Sequence, residues 1–223
     1  MVAAGDSAVL ASVPPKARAG RVRRLTLVVA GIVWIVGIVV AVGLLSRYKS
    51  EPGVAGQAPE HWPGDSALKR VEGGDTLVMF VHPQCPCTRA SLSELNLIMQ
   101  RRPVAAAVHL VFMRPHGAPS DWERTASWDM AGHIPNATRV IDADGLEAKR
   151  FGAMTSGQLL VYDAQGERRF AGGITGSRGH EGDNAGREAV LELLAREAPT
   201  RTVSFAVFGC GLWGSSVARS GAP

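Results

Sequence analysis

The sequence has no surplus of positive charge beyond its first 24 residues. The 223-residue chain carries 24 Lys and Arg against 20 Asp and Glu, which gives a formal net charge of +4. Five of the basic residues and one acidic residue lie within residues 1–24, so the rest of the chain holds 19 of each sign. The chain also lacks a basic patch with interleaved aromatic side chains, the pattern of nucleic-acid-binding domains. We therefore expect no nucleic-acid partner.

Charge is also absent from residues 25–45, LTLVVAGIVWIVGIVVAVGLL, in which Thr26 is the one strongly polar side chain. At about 1.5 Å per helical residue, this run matches the roughly 30 Å hydrocarbon core of a bilayer. It is longer than the apolar region of a secretory signal, and no A-x-A cleavage pattern follows it. It also lacks the polar stripe of a helix that packs on a globular core. The run predicts one uncleaved transmembrane anchor.

The charges that flank this run predict its orientation. Only two basic residues, Arg47 and Lys49, follow it closely, whereas five precede it: Lys16, Arg18, Arg21, Arg23 and Arg24. The positive-inside rule then places the N-terminus in the cytoplasm and the long C-terminal part outside it. Disulfides can form in that outer compartment.

Composition divides the chain into five segments. We expect a basic cytoplasmic tail at 1–24, the anchor at 25–45, a Pro- and Gly-rich linker at 46–66, a globular domain at 67–198, and a C-terminal tail at 199–223.

The globular domain alternates strand-length apolar runs with helical patterns, which indicates an α/β fold with a mixed sheet that ends in an antiparallel hairpin. Ser120 is the predicted N-cap of one helix, and Asp183 or Asn184 that of the last. The predicted strands are 76–81, 105–112, 138–142, 158–162 and 167–171, and the helices 88–100, 121–131 and 145–151, with one more after residue 184.

Cysteine is scarce, and two of the three cysteines stand one residue apart. Cys85 and Cys87 directly follow the predicted buried strand 76–81 and open the predicted helix 88–100. The free N–H groups at a helix N-terminus favour a thiolate, and Arg89 adds positive charge nearby. Two inert core cysteines are the alternative interpretation. The spacing favours redox or metal chemistry.

The third cysteine, Cys210, has no obvious partner in the sequence. The preceding residues 202–208 are apolar enough to pack on the domain as an extended segment, which would bring Cys210 to the edge of the active site. A tail thiol without function is the alternative. Three cysteines fit a nucleophile, a neighbour and a resolving partner.

Two segments carry a resemblance to a known family. Residues 80–88, FVHPQCPCT, resemble the active-site turn of thioredoxin-like proteins, and residues 140–152, VIDADGLEAKRFG, are similar to a pattern of peroxiredoxins and TlpA-type proteins. The signatures HPQCPCTRAS and GGITGSRGHEGDNAG look closest to membrane-anchored bacterial thioredoxin-like proteins of the RedB type. The resemblance covers about 130 residues.

This resemblance implies a thioredoxin-like mixed sheet flanked by helices and a thiol-disulfide oxidoreductase activity without a cofactor. It implies a single-pass protein of the bacterial inner membrane with its domain in the periplasm. The expected partner is a protein thiol, a protein disulfide or a redox donor protein.

The sequence departs from the thioredoxin pattern at several positions. Cys85 falls where those proteins carry their attacking cysteine, but Thr88 occupies the place of their second cysteine. Gln84 replaces the aromatic residue that usually precedes the attacking cysteine. Gly157, or Ser156 with a one-residue shift, occupies the position of the family's cis-proline. Peptide-dithiol exchange of the usual kind therefore needs a different groove and a different second cysteine.

We accordingly expect Cys85 to attack a partner disulfide and either Cys87 or Cys210 to resolve the mixed disulfide. The residues expected to support this site are His82, Pro86, which stiffens the turn, Thr88, Arg89 and Gly157.

Two other functions compete with exchange. Soft thiolates at Cys85 and Cys87 with His82 nearby suit Cu(I), so a copper-binding or copper-delivery protein is the first alternative. A tethered binding module without redox chemistry is the second.

The glycine-rich loop 172–184 is the remaining unusual segment. Its side chains Arg178, His180 and Glu181 are candidates for a substrate loop at the start of the last helix, and a purely structural turn is the competing interpretation.

Overall fold

The computed structural model describes residues 15–102, 106–195 and 202–213, with the side chains described from residue 20 onward. Most of the predicted cytoplasmic tail (1–14) and the end of the C-terminal tail (214–223) lie outside these ranges. The chain divides between Arg47 and Tyr48 into two compact units.

The N-terminal unit is dominated by one helix, α1 (Pro15–Ser50), of 36 residues. Its stretch from Gly20 to Ser50 is long and apolar enough to cross a membrane. The helix begins at a proline, which is favoured in a first turn because its missing N–H has no helical partner there. Residues 15–24 of the predicted tail are therefore helical and continuous with the predicted anchor.

The C-terminal unit is built on a six-stranded mixed sheet with strand order β3-β2-β1-β4-β5-β6. Strands β1, β2 and β3 are parallel, β4 is antiparallel to β1, β5 is antiparallel to β4, and β6 is parallel to β5. The strands are β1 (Thr76–Val81), β2 (Ala107–Arg114), β3 (Ala137–Ala143), β4 (Leu159–Tyr162), β5 (Arg168–Gly172) and β6 (Val203–Ser204). The helices are α2 (Thr88–Arg101), α3 (Ala126–Ala131), α4 (Leu146–Arg150) and α5 (Ala185–Leu194).

The central strand β1 is buried on both of its faces, which explains its uninterrupted apolar sequence. Leu77, Met79 and Val81 face one core together with α2 and α5. Val78 and Phe80 face a second core on the other side of the sheet. Each such fully buried side chain contributes about 1.5–3 kcal/mol of hydrophobic stabilisation. This packing fixes the end of β1, from which the Cys-Pro-Cys turn emerges.

The predicted α/β fold with a mixed sheet flanked by helices is confirmed, and the predicted strands and helices agree closely with the observed ones except at α3. The helix predicted over 121–131 begins only at Ala126, with Thr125 rather than Ser120 as its N-cap. The side chain of Glu123 is fully buried against Arg114 at the end of β2. A buried carboxylate needs a partner, and the ion pair with Arg114 supplies it. Residues 119–124 form turns that allow this pairing, and they do not form the predicted helix.

Two segments outside the predicted domain pack on it. The C-terminal tail adds β6 to the edge of β5, so the sheet does not end in the hairpin as the sequence predicted. Within the predicted linker, Trp62 packs edge-on against Phe151 and Tyr162, with ring centroids 5.0 and 5.3 Å away. The N–H of Gly53 donates to the carbonyl of Val207 at 2.8 Å. The linker and the tail thus contact each other at the surface of the domain.

Candidate active site

The Cys-Pro-Cys sequence forms the connection between β1 and α2. The N–H of Cys85 donates to the carbonyl of His82 at 3.0 Å, and the N–H of Thr88 donates to the carbonyl of Cys85 at 3.2 Å. Cys85 lies within these two turns and is 2% exposed, whereas Pro86 is exposed. Cys87 is the N-cap residue of α2 and is also buried. The sulfur of Cys85 is therefore largely shielded from solvent.

The C-terminal tail brings Cys210 against Cys85 from 125 residues further along the chain. The backbone N–H of Cys210 donates to Cys85 Sγ at 3.4 Å. The sequence expectation placed Cys210 at this edge, and the structure brings the two cysteines into direct contact. None of the three cysteines forms a disulfide in this arrangement.

The contacts around Cys85 lower the pKa of its thiol to about 5. The hydrogen bond from the Cys210 side chain has the largest effect, and burial opposes it, while a hydrogen bond from Thr88 and the N–H groups of Cys210 and Cys87 add to it. The same contact raises the pKa of Cys210 because its proton is held by the neighbouring sulfur. Burial raises the pKa of Cys87. At neutral pH the site therefore holds one thiolate, Cys85, and two thiols.

A chain of hydroxyl groups extends from the thiolate into the core. Thr88 Oγ1 lies 2.6 Å from Ser156 Oγ, and the N–H of His82 donates to that serine oxygen at 2.8 Å. One arrangement of protons satisfies every group: the serine hydroxyl donates to Thr88 Oγ1, and the threonine hydroxyl donates to Cys85. Hydrogen bonds in such a chain polarise one another, which strengthens the one to the thiolate.

Ser156 belongs to this chain of hydroxyl groups. The sequence indicates it only as an alternative to Gly157 at the family's cis-proline position. Ser156 is fully buried, and its N–H donates to the carbonyl of Cys210 at 2.8 Å. The next residue, Gly157, has φ +89° and donates its N–H to the carbonyl of Phe80 at 2.8 Å. A Cβ there would lie 2.7 Å from Ser91 Oγ. No cis peptide bond occurs in the described ranges.

The glycine-rich loop contributes one of its three candidate residues. Arg178 hydrogen-bonds to the carbonyl of Gly209 in the tail, and its charge acts on Cys87 in the direction that lowers the pKa of that thiol. His180 and Glu181 are exposed. The loop is anchored by Arg187 of α5, which pairs with the fully buried Glu94 of α2 at 2.9 Å. Most of this loop is therefore explained by structural contacts.

The other supporting residues have simple placements. Arg89 is exposed, so we attribute the low pKa of Cys85 to its hydrogen bonds rather than to that charge. His82 is buried, which lowers its pKa, and its Nδ1 accepts the N–H of Gln84 at 3.3 Å. No cluster of three or more His, Cys, Asp or Glu that could hold a metal ion occurs within the part of the chain that the structure describes. The alternative Cu(I) set of Cys85, Cys87 and His82 does not form such a cluster.

The sequence matches no protein-family model and no curated protein. The fold is shared with solved structures of low sequence identity. One is an uncharacterised conserved protein from Geobacillus kaustophilus, at 16% identity and a TM-score of 0.53; the match covers 75% of this chain and 91% of that protein's chain. A hypothetical protein from Sinorhizobium meliloti, with 16% identity and a TM-score of 0.52, covers 75% and 98%. A secreted Mycobacterium tuberculosis disulfide oxidoreductase homologous to E. coli DsbE is similar at 17% identity and a TM-score of 0.39, over 56% of this chain and 83% of its own.

Proposed function

We propose that this protein is a membrane-tethered thiol-disulfide oxidoreductase in which Cys85 is the nucleophile and Cys210 the resolving cysteine. The observation that carries the proposal is the contact of Cys210 with the Cys85 sulfur, to which the backbone N–H of Cys210 donates at 3.4 Å. A buried thiolate with a protonated thiol against it has both groups that exchange requires.

The exchange proceeds in two steps. The Cys85 thiolate attacks one sulfur of a partner disulfide; that S–S bond breaks, a mixed disulfide forms, and the second partner sulfur leaves as a thiolate. Cys210 then gives its proton to that partner thiolate and attacks the Cys85 sulfur. A Cys85–Cys210 disulfide forms, and the first partner sulfur leaves as a thiolate with the electron pair of the mixed disulfide bond. Two electrons pass from the cysteine pair to the partner, and the reverse sequence oxidises a partner dithiol.

Cys87 is the other candidate for resolution, as the sequence left open. A bridge from Cys85 to Cys87 would close a very small ring, and strain of that kind makes a disulfide labile. We therefore assign Cys87 the role of a neighbour that donates its backbone N–H to the thiolate.

The proposed location is the bacterial inner membrane, with residues 25–45 in the bilayer, the N-terminus in the cytoplasm and the thiol domain in the periplasm. The length and composition of α1 and the basic residues before residue 25 support this location. The RedB-type resemblance of the signatures supports it as well. The proposed partner is a protein dithiol or disulfide, the function needs no cofactor, and nucleic acid has no role.

A mass-mapped redox titration of the full-length protein in detergent micelles tests the proposal. Thiol states are trapped across a series of glutathione potentials, with and without Cu(I). We expect a reversible two-electron transition that links the peptides of Cys85 and Cys210, and its loss in Cys85→Ser. No disulfide at any potential, together with stoichiometric protection of the thiols by Cu(I), would replace exchange with copper handling.

A further inference from the structure

The peptide group between Gly209 and Cys210 is bound at both of its ends. Its N–H, which belongs to Cys210, donates to Cys85 Sγ at 3.4 Å. Its carbonyl, which belongs to Gly209, accepts a hydrogen bond from Nη1 of Arg178. A peptide group is planar, and this one is not cis, so its oxygen and its hydrogen point in opposite directions. The guanidinium group and the sulfur of Cys85 therefore lie on opposite sides of one rigid unit.

This arrangement connects the charge of Arg178 to the sulfur of Cys85 through hydrogen bonds. A donor on the carbonyl polarises the peptide group and strengthens its N–H as a donor, because hydrogen bonds in a chain reinforce one another. A charged donor does this more strongly than a neutral one. The N–H of Cys210 is among the groups that lower the pKa of Cys85. Loss of the guanidinium group should therefore weaken an N–H that stabilises the thiolate.

Arg178 is itself held by the residues that follow the predicted anchor. Its backbone N–H donates to the carbonyl of Lys49 at 3.0 Å, and its Nε donates to the carbonyl of Glu51 at 3.1 Å. Its guanidinium carbon lies 5.1 Å from the centroid of the Tyr48 ring. The N–H donors of a guanidinium group have fixed directions in one plane, so the contact with Glu51 also aims Nη1 at Gly209.

We propose that Arg178 is a positioning residue for Cys85: it orients and polarises the Gly209–Cys210 peptide group, whose N–H binds the sulfur, and residues 48–51 hold it in that orientation. The inference rests on the proposed exchange function for the use made of the thiolate. The contacts themselves act on Cys85 whether or not a disulfide forms. The residues just beyond the predicted anchor are thus part of the active site.

The test compares the pH midpoint of Cys85 alkylation among variants of the full-length protein in detergent micelles. Iodoacetamide is the probe, and labelling of Cys85 is followed by mass spectrometry between pH 4 and 9. We expect Arg178→Gln to raise the midpoint by about half a unit or more, which is about a threefold loss of thiolate below both midpoints. Arg139→Gln is the matched control and should leave the midpoint unchanged. That guanidinium group also donates to a carbonyl and lies over a ring, both of Trp128.

Two further variants separate the peptide group from other routes to the sulfur. Arg178→Lys keeps the charge but lacks the fixed fork of donors, so it should also raise the midpoint, although by less than Arg178→Gln. Cys210→Ala keeps the backbone N–H, so adding Arg178→Gln to it should raise the midpoint by about the same half unit. Three further titratable groups of the described chain interact with Cys85: His82 directly after β1, Cys87 in the turn and Cys210 in the tail. His82 and Cys87 remain in every variant.

An unchanged midpoint in folded Arg178→Gln overturns the proposal, and so does an unchanged midpoint in Arg178→Lys, which would mean that charge alone suffices. A shift that disappears in the Cys210→Ala background also overturns it, because Arg178 would then act only by holding the Cys210 side chain. Circular dichroism checks folding, and if Arg178→Gln does not fold, Arg178→Lys decides in its place. Absence of the Cys85–Cys210 redox transition in the unsubstituted chain, with the midpoint shifts present, overturns the exchange function alone.

Discussion

The two cysteines beside Cys85 reach it in different ways. Cys87 is two residues away in the same turn, and its position follows from the local strand-turn-helix geometry. Cys210 is 125 residues away and arrives through a tail that pairs with 154–156. The side chain of the distant cysteine nevertheless has the largest effect on the pKa of Cys85. Closeness in sequence thus does not identify the residue that lowers this pKa most.

The largest expected effect is on the rate of turnover, which should distinguish the role of Cys210 from that of Cys87. With Cys210→Ser, the first attack by Cys85 still occurs but the mixed disulfide is not resolved, so a covalent adduct with a disulfide-containing protein should accumulate and turnover should fall to background. With Cys87→Ser, turnover should continue without the adduct. Non-reducing gels and mass spectrometry measure the adduct. Accumulation in Cys87→Ser and not in Cys210→Ser would reverse the assignment.

The same contrast explains which parts of the site the sequence could predict. The run 76–81, the helix that follows it and the N-cap Asn184 depend on neighbours within a few residues, so periodicity and capping rules located them. Family resemblance assigned Cys85 the role of the attacking cysteine. Free N–H groups at the helix N-terminus and Arg89 are the causes of a favoured thiolate that the sequence predicts; the N–H of Cys87 does lower the pKa of Cys85, while the Cys210 side chain has the largest effect.

The features of the fold and site that the sequence did not predict depend on contacts between distant segments. Ser156 is significant because folding places its hydroxyl against Thr88 and its N–H against the carbonyl of Cys210, and a lone serine before a hairpin gives no signal of this. The shortened α3 has a similar origin, because the burial of Glu123 against Arg114 overrides a valid helical pattern. The glycine-rich loop looked functional, yet much of it serves the Arg187–Glu94 pair.

The second effect is a shift in the pH profile of Cys85. Lowered to about 5, its pKa makes alkylation rise with pH around that value and level off before neutrality. In Cys210→Ala the favourable hydrogen bond is lost while burial still opposes the charge, so the midpoint should rise by about one unit or more, a tenfold change in thiolate below both midpoints. Cys87→Ala, which keeps its backbone N–H, should shift the midpoint less.

This experiment follows iodoacetamide labelling of Cys85 by mass spectrometry between pH 4 and 9. The midpoint is compared, rather than the rate at one pH, because removal of a side chain also changes access to the sulfur. A midpoint that moves equally in Cys210→Ala and Cys87→Ala would show that the distant thiol has no special role. The C-terminal tail would then act only as a cover for the site.

The smallest effect concerns the hydroxyl chain, which connects the local turn to the tail-binding segment. Thr88→Val removes the hydroxyl that donates to Cys85, and Ser156→Ala removes the group that donates to Thr88. A hydrogen bond contributes about 0.5–1.5 kcal/mol, so Thr88→Val should raise the midpoint of Cys85 by roughly half to one unit. Ser156 is a positioning residue that acts on Cys85 through Thr88, so Ser156→Ala should raise the midpoint of Cys85 less than Thr88→Val does.

The control for both substitutions is Thr138→Val, which removes an exposed hydroxyl on β3 and should leave the midpoint unchanged. Ser156→Ala also deprives the N–H of His82 of its acceptor, so its thermal unfolding temperature should fall. A fall in stability without any change in the midpoint would restrict Ser156 to a structural role. If the midpoint of Cys85 and the unfolding temperature both change, then the Cys-Pro-Cys turn, the hydroxyl chain and the tail-binding segment belong to one network. In that network the tail adjusts the pKa of a thiol whose position follows from local sequence.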